Sequence, residues 1–157
     1  MVREARHDEA VFITEMVRLM VFDMERYSGH APASEQNAWD QLAGCIAEEL
    51  GRDNIKYLIA EAVDREPIGV VGAKIVTLGG AFAPKKTMHV SVVYVLPKFR
   101  RAGVASKLMS RALDWGRIEG AECCILNVLA ENPAKSLYEK HGFSGVEIEM
   151  RKPLSWS

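Results

Sequence analysis

The run from Val93 to Ala105 reads Val-Tyr-Val-Leu-Pro-Lys-Phe-Arg-Arg-Ala-Gly-Val-Ala and limits the folds open to this chain more than any other stretch. An apolar strand passes through a basic turn directly into an amphipathic helix. Lys98, Arg100 and Arg101 lie in the turn, Lys107 and Arg111 follow on the helix, and no carboxylate appears from Pro97 until Asp114. A helix N-terminus presents unpaired N–H groups and a partial positive charge, so anionic oxygens bind well there. Gly103 lets backbone approach a ligand closely, and the small Ala105 leaves room beside the first turn. A pyrophosphate is the expected occupant; a turn of solvated arginines with no ligand would read the same way. Neither a Gly-Lys-Ser/Thr phosphate loop nor a Gly-x-Gly-x-x-Gly dinucleotide fingerprint is present.

With 157 residues, of which 48% are apolar and 26% charged, residues 1–157 are expected to form one domain with a true core. The net charge of −1 gives no general attraction to nucleic acid or anionic membrane. The basic turn is therefore a local feature suited to one small polyanion. The start of the chain lacks the apolar stretch of a signal peptide, and no run approaches the length of a membrane span. A cytoplasmic location is the expectation. Cys45, Cys123 and Cys124 form no Cys-x-x-Cys and are read as reduced, mostly buried small hydrophobes. His7, His30, His89 and His141 show no metal-ligand spacing, so no metal is expected.

Periodicity orders the rest. Val2 to Ala5 is a short first strand, and Asp8 to Tyr27 has helical spacing until Gly29 and Pro32 break it. Ser34 is a candidate cap for a second helix that stops at Gly51. Ile55–Val63, Ile68–Thr77 and Met88–Leu96 read as strands. After the basic turn, Val104, Leu108, Ala112 and Trp115 mark one face of a helix ending near Gly120. Cys123–Leu129 is a further strand, Asn132-Pro133 opens a fourth helix as cap and first residue, and Phe143 with Val146–Arg151 supplies closing strands. The order β-α-α-β-β-β-α-β-α-β-β predicts an α/β (mixed α+β) domain around one mixed sheet.

Two strings carry a family resemblance. Arg100-Arg101-Ala102-Gly103-Val104-Ala105, led by Val95-Leu96-Pro97, resembles motif A of the GNAT superfamily of acyl-CoA-dependent N-acyltransferases, Arg/Gln-x-x-Gly-x-Gly/Ala. Tyr138-Glu139-Lys140-His141-Gly142-Phe143 resembles the end of its motif B, Tyr-x-x-x-Gly-Phe. The resemblance implies a GNAT-like fold, with a central mixed sheet of about six to seven strands flanked by about four helices. It implies acetyl-CoA as cosubstrate, with Arg100 among the residues that bind it and the diphosphate on the N–H groups of Arg101, Ala102, Gly103, Val104, Ala105 and Ser106. It also implies that the backbones of Val93 and Val95 pair with the pantetheine amides. Tyr138 would protonate the leaving thiolate, a role that suits a phenol of pKa about 10; packing on the sheet explains it equally. The family often places an Asn seven residues before this Tyr; here that position is Glu131, and Asn132 is either the cofactor contact or only a helix cap.

An acceptor amine must lose a proton before or during attack. By a period of two, His89, Ser91, Val93 and Val95 share one strand face. His89 is thus a candidate base, as some relatives carry a histidine there. An ordinary strand histidine, with water accepting the proton, is the other reading, and His30 is a weaker candidate. Acidic Glu35, Asp40, Glu48 and Glu49 on the second helix either attract a cationic amine or form a solvated face. The expected activity is acetyl transfer from acetyl-CoA to a primary amine by direct attack. The alternative is a non-catalytic acyl-CoA-binding sensor or regulatory module. The acceptor is a small-molecule or peptide amine, and a homodimer is the expected assembly.

Overall fold

The computed structural model describes residues 1–81, 83–152 and 154. Its sheet has five strands in sequential order, β1 (Val2–Glu4), β2 (Ile55–Glu61), β3 (Pro67–Leu78), β4 (Lys85–Val95) and β5 (Cys123–Leu126). The first four pair antiparallel, and β5 joins β4 in parallel through the crossover helix α3 (Val104–Ile118). The helices α1 (Ala10–Ser28) and α2 (Gln36–Glu49) precede β2, and the short α4 (Lys135–Lys140) follows β5. This is the mixed α/β architecture with four helices that the sequence implies.

Both sheet faces are covered. On one, Leu108, Met109 and Ala112 of α3 meet Leu58, Val71, Met88 and Val90. On the other, Ile13 and Met16 of α1 and Ile46 of α2 meet Tyr57, Ile59, Val70, Val92 and Tyr94. Leu108, Met109, Ile13 and Ile59 are fully buried, each burial worth about 1.5–3 kcal/mol. Arg3 ties the first strand down: it bonds Glu9 through Nη1 and Nη2 at 2.8 and 2.7 Å, and Glu61 through Nε at 2.6 Å.

Strand β4 changes faces partway along. Its register with β3 runs Gly72↔Val92 and then Ala73↔Val90, which leaves Ser91 as the extra residue of a β-bulge. Met88 and Val90 therefore face α3, whereas Val92 and Tyr94 face α1 and α2, and Val95 returns to the α3 side. This corrects the expectation that His89 shares a face with Val93 and Val95. The alternation is interrupted between them, and His89 lies on the opposite side.

Three further expectations change. Residues 143–152 form no strand, so the sheet has five strands rather than six or seven. Val146, Ile148 and Met150 alternate with charged residues as a strand would, but they are 86–90% exposed. Alternation makes a strand only where an edge pairs with it. β5 stops at Leu126 rather than Leu129, because its partner bulges there. Cys45 is exposed and Cys123 and Cys124 are half-buried, and none is bonded to another, which corrects the expectation that they are mostly buried.

Candidate functional site

The parallel pairing of β4 with β5 ends at Val90↔Leu126. Beyond it the two chains splay, and a cavity of about 690 Å³ opens between them. Ser91 to Val95 form one wall, Asn127 and Val128 with α4 another, and Met20, Asp23, Met24 and Tyr27 of α1 close a third. The start of α3 forms the far end, where Arg100, Arg101, Gly103, Val104, Ala105 and Ser106 all line the cavity.

Local backbone preference builds that end. A 3-10 turn over Pro97–Phe99 follows β4, with Pro97 at its first position. Arg101 and Gly103 then take left-handed conformations, φ 62° and 76°, before α3 begins at Val104. Alternating handedness of this kind curls successive N–H groups inward into an anion-binding nest. The first bond of the helix runs from Lys107 N–H to Gly103 O at 3.0 Å. The N–H groups of Val104, Ala105 and Ser106 therefore precede any intrahelical acceptor, at the positive end of a 15-residue dipole. A Cβ on Gly103 would meet nothing within 4 Å. Within the protein, glycine is needed there for its positive φ rather than to relieve contact with neighbouring side chains.

The arginines divide their work. Arg100 donates through Nη2 to Asp23 Oδ2 at 2.6 Å and through Nε to Val95 O at 2.9 Å, and it stacks over the Tyr94 ring. The Tyr94 hydroxyl donates to the same Asp23 oxygen at 3.2 Å. Burial raises the Asp23 pKa, but the Arg100 and Tyr94 hydrogen bonds and the Arg100 charge outweigh it and leave the carboxyl below its ordinary value. Arg100, expected to serve the cofactor, is thus held on the helix α1 side, and its backbone N–H is spent on Pro97 O at 3.2 Å. Arg101 has no ion pair among the described residues.

Leu96 N–H donates to Ile68 O of β3 at 2.9 Å. By alternation Val93 and Val95 turn their own N–H and C=O groups away from β3 and towards the splay. The Val95 carbonyl is already taken by Arg100. Val93 N–H and C=O, with Val95 N–H, remain for an incoming polar chain.

Tyr138 lines the cavity from α4, half-buried, with its ring edge-on to Phe143 at 6.1 Å. Burial raises its pKa, so the phenol keeps its proton at neutral pH. Asn132 also lines the cavity, and its Oδ1 caps the turn into α4 by accepting Ala134 N–H at 2.9 Å. That cap delays the helix to Lys135, two residues later than Pro133 would start it. Its amide NH₂ has no partner among the described residues, whereas Glu131 is exposed. His89 does not line the cavity, which corrects its placement as a site residue, and His30 is exposed and bonded to Arg151. Sequence reasoning missed Asp23 and Tyr94, and it missed His141, whose Nε2 lies 2.8 Å from Ser106 Oγ. A carboxylate on an amphipathic helix and a histidine beside a helix stop carry no signal of their own.

A model of the family described as Acetyltransferase (GNAT) family matches residues 14–143. No curated protein matches the chain. Solved structures resemble it over nearly their whole length. A mutant form of the BH1408 protein of Bacillus halodurans has a TM-score of 0.87 at 16% identity, covering 99% of each chain. A protein of Clostridium acetobutylicum solved with acetyl-CoA and named a predicted acetyltransferase has 0.79 at 15% identity, covering 98% of this chain and 95% of the other. An aminoglycoside acetyltransferase from an uncultured soil sample has 0.69 at 20% identity, covering 99% and 98%.

Proposed function

Because the chain belongs to the GNAT acetyltransferase family, we propose that it transfers an acetyl group from acetyl-CoA to a primary amine by direct attack. One observation carries the reading. The splay beyond Val90↔Leu126 and the unpaired N–H groups at the start of α3 open into the same cavity. Its volume, about 690 Å³, falls within the ~300–1,000 Å³ of ligand pockets.

The cosubstrate lies with its diphosphate on the N–H groups from Arg101 to Ser106, and Asn132 NH₂ is available to its arm. Its pantetheine amides extend the sheet along Val93 and Val95 N–H, as an added strand would. The acetyl carbonyl then falls near the bulge, where a backbone N–H of β4 polarises its oxygen. The neutral amine nitrogen forms the C–N bond and gives up a proton to water, the C–S bond breaks, and the Tyr138 hydroxyl gives its proton to the departing thiolate and regains one from solvent. Among the described residues Asp23 is the one carboxylate in the cavity wall. Its depressed pKa suits it to holding Arg100 and orienting α1 rather than to taking a proton.

Acetyl-CoA mixed with the protein and a panel of primary amines, with free thiol followed over time, tests the reading. Amine-dependent thiol release with stoichiometric amide is expected. Saturable acetyl-CoA binding with no release on any amine would refute it in favour of a binding module.

A further inference from the structure

A second hollow of about 210 Å³ lies beneath α2, on the face of the sheet that α1 and α2 cover. It has room for roughly seven waters at ~30 Å³ each, below the range of drug-sized pockets. Val17, Leu42, Ile46, Ile55 and Val92 give it apolar walls. Two charged side chains enter it, Glu49 from the last turn of α2 and Lys74 from β3. Glu49 Oε2 accepts the buried Tyr57 hydroxyl at 2.5 Å, and among the described residues no cation pairs with it. The Lys74 ammonium makes neither an ion pair nor a hydrogen bond among the described residues. A carboxylate and an ammonium thus share an apolar hollow, and neither has a charged partner. Both side chains are half-buried and remain open to an incoming ligand of complementary charge.

The hollow and the larger cavity meet at Ser91 and Val92, which line both. The bulge is therefore their common wall. Gly72 shapes it from below, since a Cβ there would fall 2.5 Å from Tyr57 Cε1 and 2.7 Å from Val92 Cγ1. Without that atom the Tyr57 ring crosses β3 to reach Val92, and its hydroxyl fixes Glu49.

We propose that this hollow receives the acceptor, and that the acceptor is a small zwitterion of amino-acid size with an apolar side chain. Lys74 binds its carboxylate and Glu49 faces its amine. The inference rests on the transfer reading above. Glu49 takes the first proton, which turns the ammonium into a nucleophilic amine, and returns it to solvent; the second leaves the nitrogen for water once the C–N bond has formed. The nitrogen attacks the acetyl carbon at the Ser91–Val92 wall, and Tyr138 supplies the thiolate's proton and regains one from solvent.

The test starts with binding, which needs no turnover. The protein, free of acetyl-CoA, is titrated calorimetrically with each apolar L-amino acid and with its carboxamide. At least one acid should bind ten-fold or more tighter than its amide. Lys74→Met should remove that preference while acetyl-CoA affinity stays unchanged, and Glu49→Gln, which keeps the Tyr57 bond, should weaken the acid. No binding by any acid, equal binding of acid and amide, or a preference that survives Lys74→Met overturns the proposal. Acetyl-CoA is then added. Thiol release on the acid but not the amide supports it, whereas equal release on both overturns it and leaves the transfer reading standing. Selective binding without release on any amine refutes the transfer reading and keeps the hollow as a zwitterion site.

Discussion

Replacing Gly72 by alanine adds one methyl group to a central strand, a change that ordinarily stabilises a protein by about 0.4–1 kcal/mol through the unfolded chain. Here the opposite sign is expected. The new Cβ would sit 2.5 and 2.9 Å from two Tyr57 ring carbons and 2.7 Å from Val92 Cγ1. The ring is 6% exposed, packed in the α1/α2 core and fixed at its far end to Glu49, so it cannot swing away freely. Overpacking of this kind costs about 1–3 kcal/mol, and losing a hydrogen bond to a carboxylate adds about 1.5–3 kcal/mol if the ring is displaced. A net loss of roughly 2–4 kcal/mol follows, which at about 2–4 °C per kcal/mol lowers Tm by roughly 5–15 °C. Urea unfolding of wild type, Gly72→Ala, Tyr57→Leu and the double variant measures it. In the Tyr57→Leu background the alanine has only Val92 to displace, so the cycle should show a coupling above about 1 kcal/mol. A Gly72→Ala protein as stable as wild type, or additive single effects, would refute the crossing-ring account.

Tyr138→Phe should lower kcat by about 10²-fold or more and leave acetyl-CoA affinity within a factor of about two, since only the hydroxyl is removed; steady-state kinetics beside calorimetry separate the two, and an unchanged kcat removes it as the acid. Gly103→Ala forces a left-handed alanine at a cost of about 1–2 kcal/mol, so acetyl-CoA should bind roughly 5- to 30-fold more weakly. Gly103→Asn tolerates that conformation better and should lose much less; equal affinities for the two variants would contradict the backbone argument. Arg3→Met leaves the buried Glu61 carboxylate without its cation and Glu9 with only the more exposed Arg6, and should destabilise the fold by about 2–4 kcal/mol near neutral pH. The Arg3 hydrogen bond holds the Glu9 carboxyl below its ordinary pKa in the fold, against the opposing effect of burial. Its stabilisation is complete above the unfolded value of ~4.3 and disappears as pH falls through the lowered one. The gap between wild type and Arg3→Met should therefore shrink below about pH 4 in urea titrations; a constant gap would assign the loss to packing alone.

Helical periodicity was legible wherever one face does the packing. Leu108 and Ala112, picked out by spacing, are 0% and 2% exposed, and Gly29 ends α1 with the left-handed turn its position suggests. The basic turn was legible for a similar reason, since Pro97, Gly103 and the run of cations all act on their own backbone. What depended on distant partners was not. The bulge at Ser91 arises from pairing with β3, and Ser91 itself is an unremarkable strand residue, so a period-two count through it put His89 on the wrong face. The Arg100–Asp23 pair spans 77 positions and the Ser106–His141 contact 35, and neither leaves a local trace. Val146 to Met150 shows the converse: a perfect local alternation that, among the described residues, pairs with no strand.

The guanidinium of Arg100 joins two regions that would otherwise vary separately. It opens the basic turn before α3, yet its hydrogen bonds end on a carboxylate of α1 and a carbonyl of β4. Any drift in the first helix drags on the loop proposed to hold the diphosphate. Selection for a new amine is consequently paid in cofactor affinity unless residue 23 keeps its negative charge, so variants evolved for altered acceptors should retain Asp or Glu there while their neighbours on α1 change freely.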